Sequence, residues 1–171
     1  DAGIHKSCNI KCVYCYGVKQ VPSPEYIPKD RLLMLVDDAK ECGVKSLAII
    51  GDGEPTMNKG LYSMATYAKH RGLDMSVATN GLLLDEYKLR MLLDSLVWLR
   101  FNISAVDKRY DWIHGAKNGF EKFEEVIKQA VRFKKECTVG LQMVLIPQCF
   151  DQVIPLAKKA IEWEVDYLVI K

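Results

Sequence analysis

The chain has 171 residues, 49% of them hydrophobic, enough for one domain with a single buried core. Its 24 basic and 22 acidic side chains leave a net charge of +2 with no run of five like charges, so no electrostatic nucleic-acid footprint is indicated. No apolar stretch is long enough to cross a membrane and no signal-peptide pattern opens the chain, so a partner membrane is not expected and a reducing cytoplasm is the expected compartment.

In chain order, residues 3–7 form a candidate first strand, followed by the polar loop Cys8-Asn9-Ile10-Lys11-Cys12-Val13-Tyr14-Cys15. Leu32, Leu35, Val36 and Ala39 recur at helical spacing and are closed by Gly43. Residues 46–50 are a short apolar strand. A second helical stripe, Leu61, Met64, Ala65 and Ala68, is closed by Gly72 and followed by a strand over 75–79. Asp85 is the expected N-cap of a helix carrying Leu89, Leu92, Leu93 and Leu96, which leads to a strand over 97–104. Phe120, Phe123, Val126, Ile127, Ala130 and Val131 form the fourth stripe, before a strand over 138–146. Asp151 is the expected cap of a fifth helix, with Val153, Ile154, Ala157, Ala160 and Ile161 inward and Pro155 in the tolerated first turn. Residues 167–171 form the last strand.

Short apolar strands alternating with amphipathic helices predict right-handed crossovers and a parallel sheet, either doubly wound or a barrel. A dinucleotide-binding fold loses ground because no Gly-x-Gly-x-x-Gly turn follows the first strand. Both ends read as cut, which makes residues 1–171 the expected core domain of a longer polypeptide.

The number of cysteines in the first loop is informative. A structural zinc site takes four protein ligands, and ordinary four-iron, four-sulfur clusters take four cysteines. Cys8, Cys12 and Cys15, spaced CxxxCxxC, supply three, which leaves one iron of a cubane open to a substrate. The rival readings are a zinc knuckle completed by His5 or a distant residue, and ordinary buried thiols. The other three cysteines, Cys42, Cys137 and Cys149, carry no assigned role.

A second motif, Gly51-Asp52-Gly53-Glu54-Pro55, directly follows the strand over 46–50. Together the two motifs resemble the radical S-adenosylmethionine (SAM) superfamily, with Asp52-Gly53-Glu54 standing for that family's Gly-Gly-Glu. The resemblance is nearest in flavour to the peptide-modifying, SPASM-type and sulfatase-maturase-like branch. It implies an open (β/α)6 partial TIM barrel with parallel strands, and six strands are counted above. It also implies one four-iron, four-sulfur cluster on Cys8, Cys12 and Cys15, with SAM chelated at the fourth iron and cleaved by one electron to methionine and a 5′-deoxyadenosyl radical. Further implications are a flavodoxin- or ferredoxin-type electron donor and a peptide or small-molecule substrate. A glycyl-radical-enzyme activase and a non-catalytic zinc or iron–sulfur module are the alternatives.

The same resemblance assigns residues around SAM. Tyr14 matches the aromatic position near the adenine. Glu54 matches the partner of the SAM ammonium, where a charge-assisted hydrogen bond is strong, and Gly51 and Gly53 allow close backbone approach. Thr79 or Asn80, in Ala78-Thr79-Asn80-Gly81, matches a strand end that lines the site, and Asn80-Gly81 also reads as a plain turn. Ser104 shares a strand face with Arg100 and Asn102, and matches a polar contact to ribose or carboxylate; a hydroxyl satisfying local backbone is the alternative. His114-Gly115 stands where the family often has arginine before glycine, so His114 is a substitute donor, a substrate contact or a surface histidine. Gln142 matches a polar position toward the ribose.

Overall fold

The computed structural model describes residues 2–19 and 25–171. Among the described residues, eleven α-helices and β-strands follow one another as α1 (Lys29–Glu41), β1 (Ser46–Ile49), α2 (Gly60–His70), β2 (Asp74–Thr79), α3 (Glu86–Ser95), β3 (Trp98–Asn102), α4 (Arg109–His114), α5 (Gly119–Phe133), β4 (Thr138–Met143), α6 (Val153–Glu162) and β5 (Tyr167–Ile170), with short 3-10 turns between some of them. The strands pair in parallel in the order β1-β2-β3-β4-β5, the order in which the chain makes them. Right-handed crossovers without a reversal of strand order put every connecting helix on one side of the sheet. The other side is therefore a concave face, as in an open partial barrel.

The strand register sorts the side chains. Val77, Leu99, Phe101 and Leu141 are fully buried on the helix side, where the Phe101 ring meets Phe123 of α5 edge-on at 6.2 Å. The alternate positions Ser76, Arg100, Asn102 and Gln142 lie on the concave side. The expected stripes of α1 and α2 are the buried ones, except that Leu35 is only partly covered. Both helices end where expected, with Val44 N–H closing on the Ala39 carbonyl and Leu73 N–H on that of Ala68, each at 2.9 Å. Asp85 caps α3 by accepting from Lys88 N–H at 2.9 Å. Among the described residues, no helix is long and apolar enough to cross a membrane.

Three expectations are corrected. First, residues 3–7 are not a sixth strand among the described residues. Ala2 alone bridges β1 in parallel, and then residues 4–6 turn away to pair antiparallel with 25–27 through Lys6 N–H to Glu25 O and Ile27 N–H to Ile4 O, both 3.1 Å. Second, β4 ends at Met143: on the β3 side the next N–H, that of Val144, goes to the Ser104 hydroxyl at 3.2 Å, and beyond it only Leu145 N–H, to the Lys171 carbonyl at 2.8 Å, continues toward β5. Third, Asp151 does not cap α6. It lies in the 3-10 turn Pro147–Gln152 and holds Arg109 with both oxygens at 2.8 Å. α6 is rotated accordingly, burying Leu156 and Ala160 and leaving Ile154 63% and Ile161 78% exposed. The short helix α4 was not foreseen.

Phe123 joins α5 to Tyr110 of α4, to Trp163 and to β3 through ring contacts of 5.4–6.3 Å. Phe123→Ala should therefore cost about 3–5 kcal/mol of unfolding free energy, read as a lowered denaturation midpoint with unchanged slope. An unchanged midpoint would show that α5 does not depend on this packing.

Candidate active site

Residues 8–15 lie across the C-terminal ends of the strands, where parallel barrels carry their chemistry. The loop is pinned to α4 by its backbone, Lys11 N–H to the His114 carbonyl at 3.1 Å and Val13 N–H to that of Ile113 at 2.8 Å. Gly115 ends α4 with φ 58°, and a Cβ there would sit 2.7 Å from the Lys11 carbonyl oxygen, so only glycine permits this seating. Cys15 N–H turns back onto the Cys12 carbonyl at 3.0 Å. All three thiols are free; Cys8 and Cys15 are exposed and Cys12 is buried. Burial pushes the Cys12 thiol up to about 12 and raises that of Cys8 as well.

Glu54 is only 3% exposed, and its carboxylate is met by the chain itself. Oε1 accepts from Thr56 N–H at 3.0 Å, the Thr56 hydroxyl at 2.6 Å and the Thr79 hydroxyl at 2.5 Å. Oε2 accepts from Asn80 N–H at 2.8 Å. Glu54 thus ties the exit of β1 to the exit of β2, and its own N–H donates to the Ser7 carbonyl at 2.9 Å, one residue before the cysteines. Gly53, with φ 81°, is needed here for a different reason than expected. A Cβ would lie 2.4 Å from the His5 and Ser7 carbonyl oxygens, so the close approach is to the chain's own backbone. Asn80 reaches the cysteine loop, its amide donating to Asn9 Oδ1 at 2.8 Å and lying 3.7 Å from Cys8 Sγ. Thr79 belongs to the same strand-end motif as Asn80, while nothing in the sequence marks Asn9 for these contacts and Thr56 is marked only by its place two residues after Glu54.

His114 and Ser104 are fully buried. Ser104 N–H donates to His114 Nε2 at 3.1 Å, while Nδ1 lies 3.3 Å from Cys12 Sγ and 3.4 Å from the Tyr14 hydroxyl. Desolvation lowers the His114 pKa to about 4, so the ring is neutral at physiological pH. A surface histidine, or an imidazolium free to reach a carboxylate, is therefore not what the fold makes of this residue. Tyr14 is partly buried and its hydroxyl accepts from Asn102 Nδ2 at 2.7 Å. On the concave face beside it, Asn102 Oδ1, Gln142 Oε1 and Arg100 Nε are buried without a hydrogen-bond partner among the described residues. Orphaned atoms of this kind are rare in folded proteins and mark places where a polar ligand or water completes the bonding.

A cavity of about 230 Å³ is bordered by Cys8, Cys15, Lys11, Asp52 and Gly53. A second, of about 520 Å³, lies at the opposite ends of the strands around Asp74, Asp94 and Val97, remote from these residues. Among the described residues, no three His, Cys, Asp or Glu side chains are grouped to hold a single metal ion. An iron–sulfur cluster asks for something else, thiolates that each take a different iron. The free donor set, the cavity beside two of the thiols and the orphaned polar atoms fit such a cluster with a polar ligand next to it.

The family model described as the Radical SAM superfamily matches residues 4–160. Fe-coproporphyrin III synthase from Methanosarcina barkeri is 31% identical over 157 residues, which cover 85% of this chain and 38% of that protein. A probable GTP 3′,8-cyclase from Archaeoglobus fulgidus is 31% identical over 144 residues, covering 84% of this chain and 46% of that protein. The crystal structure of Streptococcus suis SuiB bound to S-adenosylmethionine matches with a TM-score of 0.83 at 20% identity, covering 98% of this chain and 39% of that one. SuiB has also been solved with its precursor peptide SuiA. At that identity the structural likeness concerns the fold. The chain spans less than half the length of these proteins.

The buried ring at His114 gives stability a definite pH dependence. Its folded pKa, about 4, lies below the ordinary value of 6.5, so the unfolded chain takes up the proton first. Stability from this source is complete above about pH 6.5 and is lost as pH falls toward 4, by at most about 1.4 kcal/mol per pH unit. Denaturation midpoints of the metal-free chain should fall across that window, and less steeply in His114→Asn. Equal slopes in the two proteins would exclude the assignment.

Proposed function

Because the chain belongs to the radical SAM superfamily, we propose that Cys8, Cys12 and Cys15 hold one four-iron, four-sulfur cluster and that SAM binds beside it. Members of that superfamily are enzymes that use both groups. The observation that carries the reading is the set of three unbridged thiols on one loop, held over the C-terminal ends of a parallel, barrel-type sheet. The chemistry that the cluster supplies when bound is one-electron cleavage of the SAM sulfonium, which generates a radical able to take hydrogen from a peptide or small metabolite.

The chain's own residues prepare the place. The α4 contacts hold the cysteine loop in one conformation. Among the described residues Glu54 Oε2 accepts a single hydrogen bond, from Asn80, so it retains acceptor capacity for the SAM ammonium. The backbone at Gly53 borders the same cavity as Cys8 and Cys15. Gln142, Asn102 and Arg100 offer their unpaired atoms to the ribose or carboxylate from the concave face, with Tyr14 beside them. Asn80 supports the loop at Cys8, while Ser104 and His114 act from inside the wall. Support for the substrate class comes from relatives whose names specify small molecules, GTP and Fe-coproporphyrin III, and from SuiB, solved with a peptide. A flavodoxin- or ferredoxin-type protein is the electron donor in this reading.

Anaerobic reconstitution of the full-length protein should give close to one four-iron cluster, and Ala at Cys8, Cys12 or Cys15 should abolish it. With a strong reductant the loaded protein should convert SAM to 5′-deoxyadenosine and methionine. Stoichiometric zinc without iron or sulfide after reconstitution would overturn the reading.

Glu54→Ala separates this site from an ordinary surface acid. It leaves the buried donors of Thr56, Thr79 and Asn80 unmet, which should cost on the order of 3 kcal/mol of stability in addition to any loss of SAM affinity. A thermal melt superimposable on that of wild type would show that the carboxylate is not held as described.

A further inference from the structure

Cys12 differs from the other two thiols in being buried, and a buried thiolate needs hydrogen-bond donors as well as a metal. The structure supplies a donor through residue 114. Ser104 N–H occupies the lone pair of His114 Nε2, so the ring proton of the neutral imidazole sits on Nδ1, 3.3 Å from Cys12 Sγ. The ring cannot turn away freely. It is fully buried, it packs against Tyr110 at 4.4 Å between centroids, and its residue's backbone carbonyl is bonded to Lys11 of the same loop. The Tyr14 hydroxyl, itself fixed by Asn102, reaches the same sulfur and is the second donor.

We propose that His114 is a positioning residue for the cluster, donating its Nδ1–H to the Cys12 ligand sulfur and thereby raising the cluster's reduction potential. Hydrogen bonds to a ligand sulfur stabilise the extra negative charge of the reduced cluster, so their loss makes reduction harder. The inference rests on the cluster reading above and goes beyond it, because it assigns residue 114 to the metal side of the site and not to the SAM carboxylate.

The test uses the full-length, anaerobically reconstituted protein without SAM, titrated with reductant and followed by the electron paramagnetic resonance signal of the reduced cluster. His114→Leu fills much of the ring volume without a donor. It should lower the reduced-to-oxidised ratio at a fixed potential about tenfold, equivalent to about 59 mV for one electron. His114→Asn places an amide N–H near the Nδ1 position and should stay close to wild type. Intact clusters with the same potential in all three proteins would overturn the role of His114, as would equal shifts in both variants, which would point to packing alone. Wild-type protein labelled with nitrogen-15 in histidine decides the matter if the leucine variant takes up no cluster. A histidine nitrogen coupled to the reduced cluster upholds the bond, and no such coupling overturns it. Zinc, or no iron, in the wild type would instead overturn the cluster reading.

Discussion

A carboxylate taken out of water has to be met by donors on every side, and at Glu54 those donors come from two different strand ends. That requirement brings the exits of β1 and β2 together, fixes Asn80 under Cys8 and draws the segment before the cysteines against Gly53. The loop of residues 8–15 thus rests on Asn80 and the Glu54 backbone at one end and on α4 at the other. Removing the charge releases several buried groups at once.

The two faces of the sheet divide the labour. Helix-side positions such as Leu99 and Phe101 are wholly apolar and buried, and they hold the strands in place. The concave side carries Arg100, Asn102 and Gln142, whose unpaired atoms disfavour an empty site and suit a polar one. With strands in chain order, the crossover helices cover the same face. The concave face is left to chemistry, and a short loop after the first bridge suffices to place the cysteines above it.

The helices were legible because their apolar residues recur at a period near four and because Gly43, Gly72 and Asp85 punctuate them. The cysteine motif and the Gly-Asp-Gly-Glu-Pro turn were legible because few other functions need those residue types so arranged. The sense of α6 was not, since Ile154 and Ile161 share its period with Leu156 and Ala160 and only packing against its neighbours chooses the buried side. The depth of residue 114 was equally hidden. A histidine at the end of a six-residue helix reads as polar surface until the cysteine loop closes over it. Residues 3–7 stand where the alternation of strands and helices calls for a first strand, but pairing with 25–27 takes the same backbone groups and prevails after Ala2.

Strand order also sets the order of assembly on the ribosome. Each strand from β2 onward emerges to find its neighbour already made, so the sheet can grow in step with synthesis. The cysteine loop is the exception. It is translated well before the residues that seat it, Ile113 to Gly115, which follow about a hundred residues later, and the Cys12–His114 pair spans a separation of 102. For that interval Cys12, the one thiol of the three that the fold buries, is without its cover, so the nascent chain carries all three thiols open to oxidants until its cysteine loop has a fixed shape.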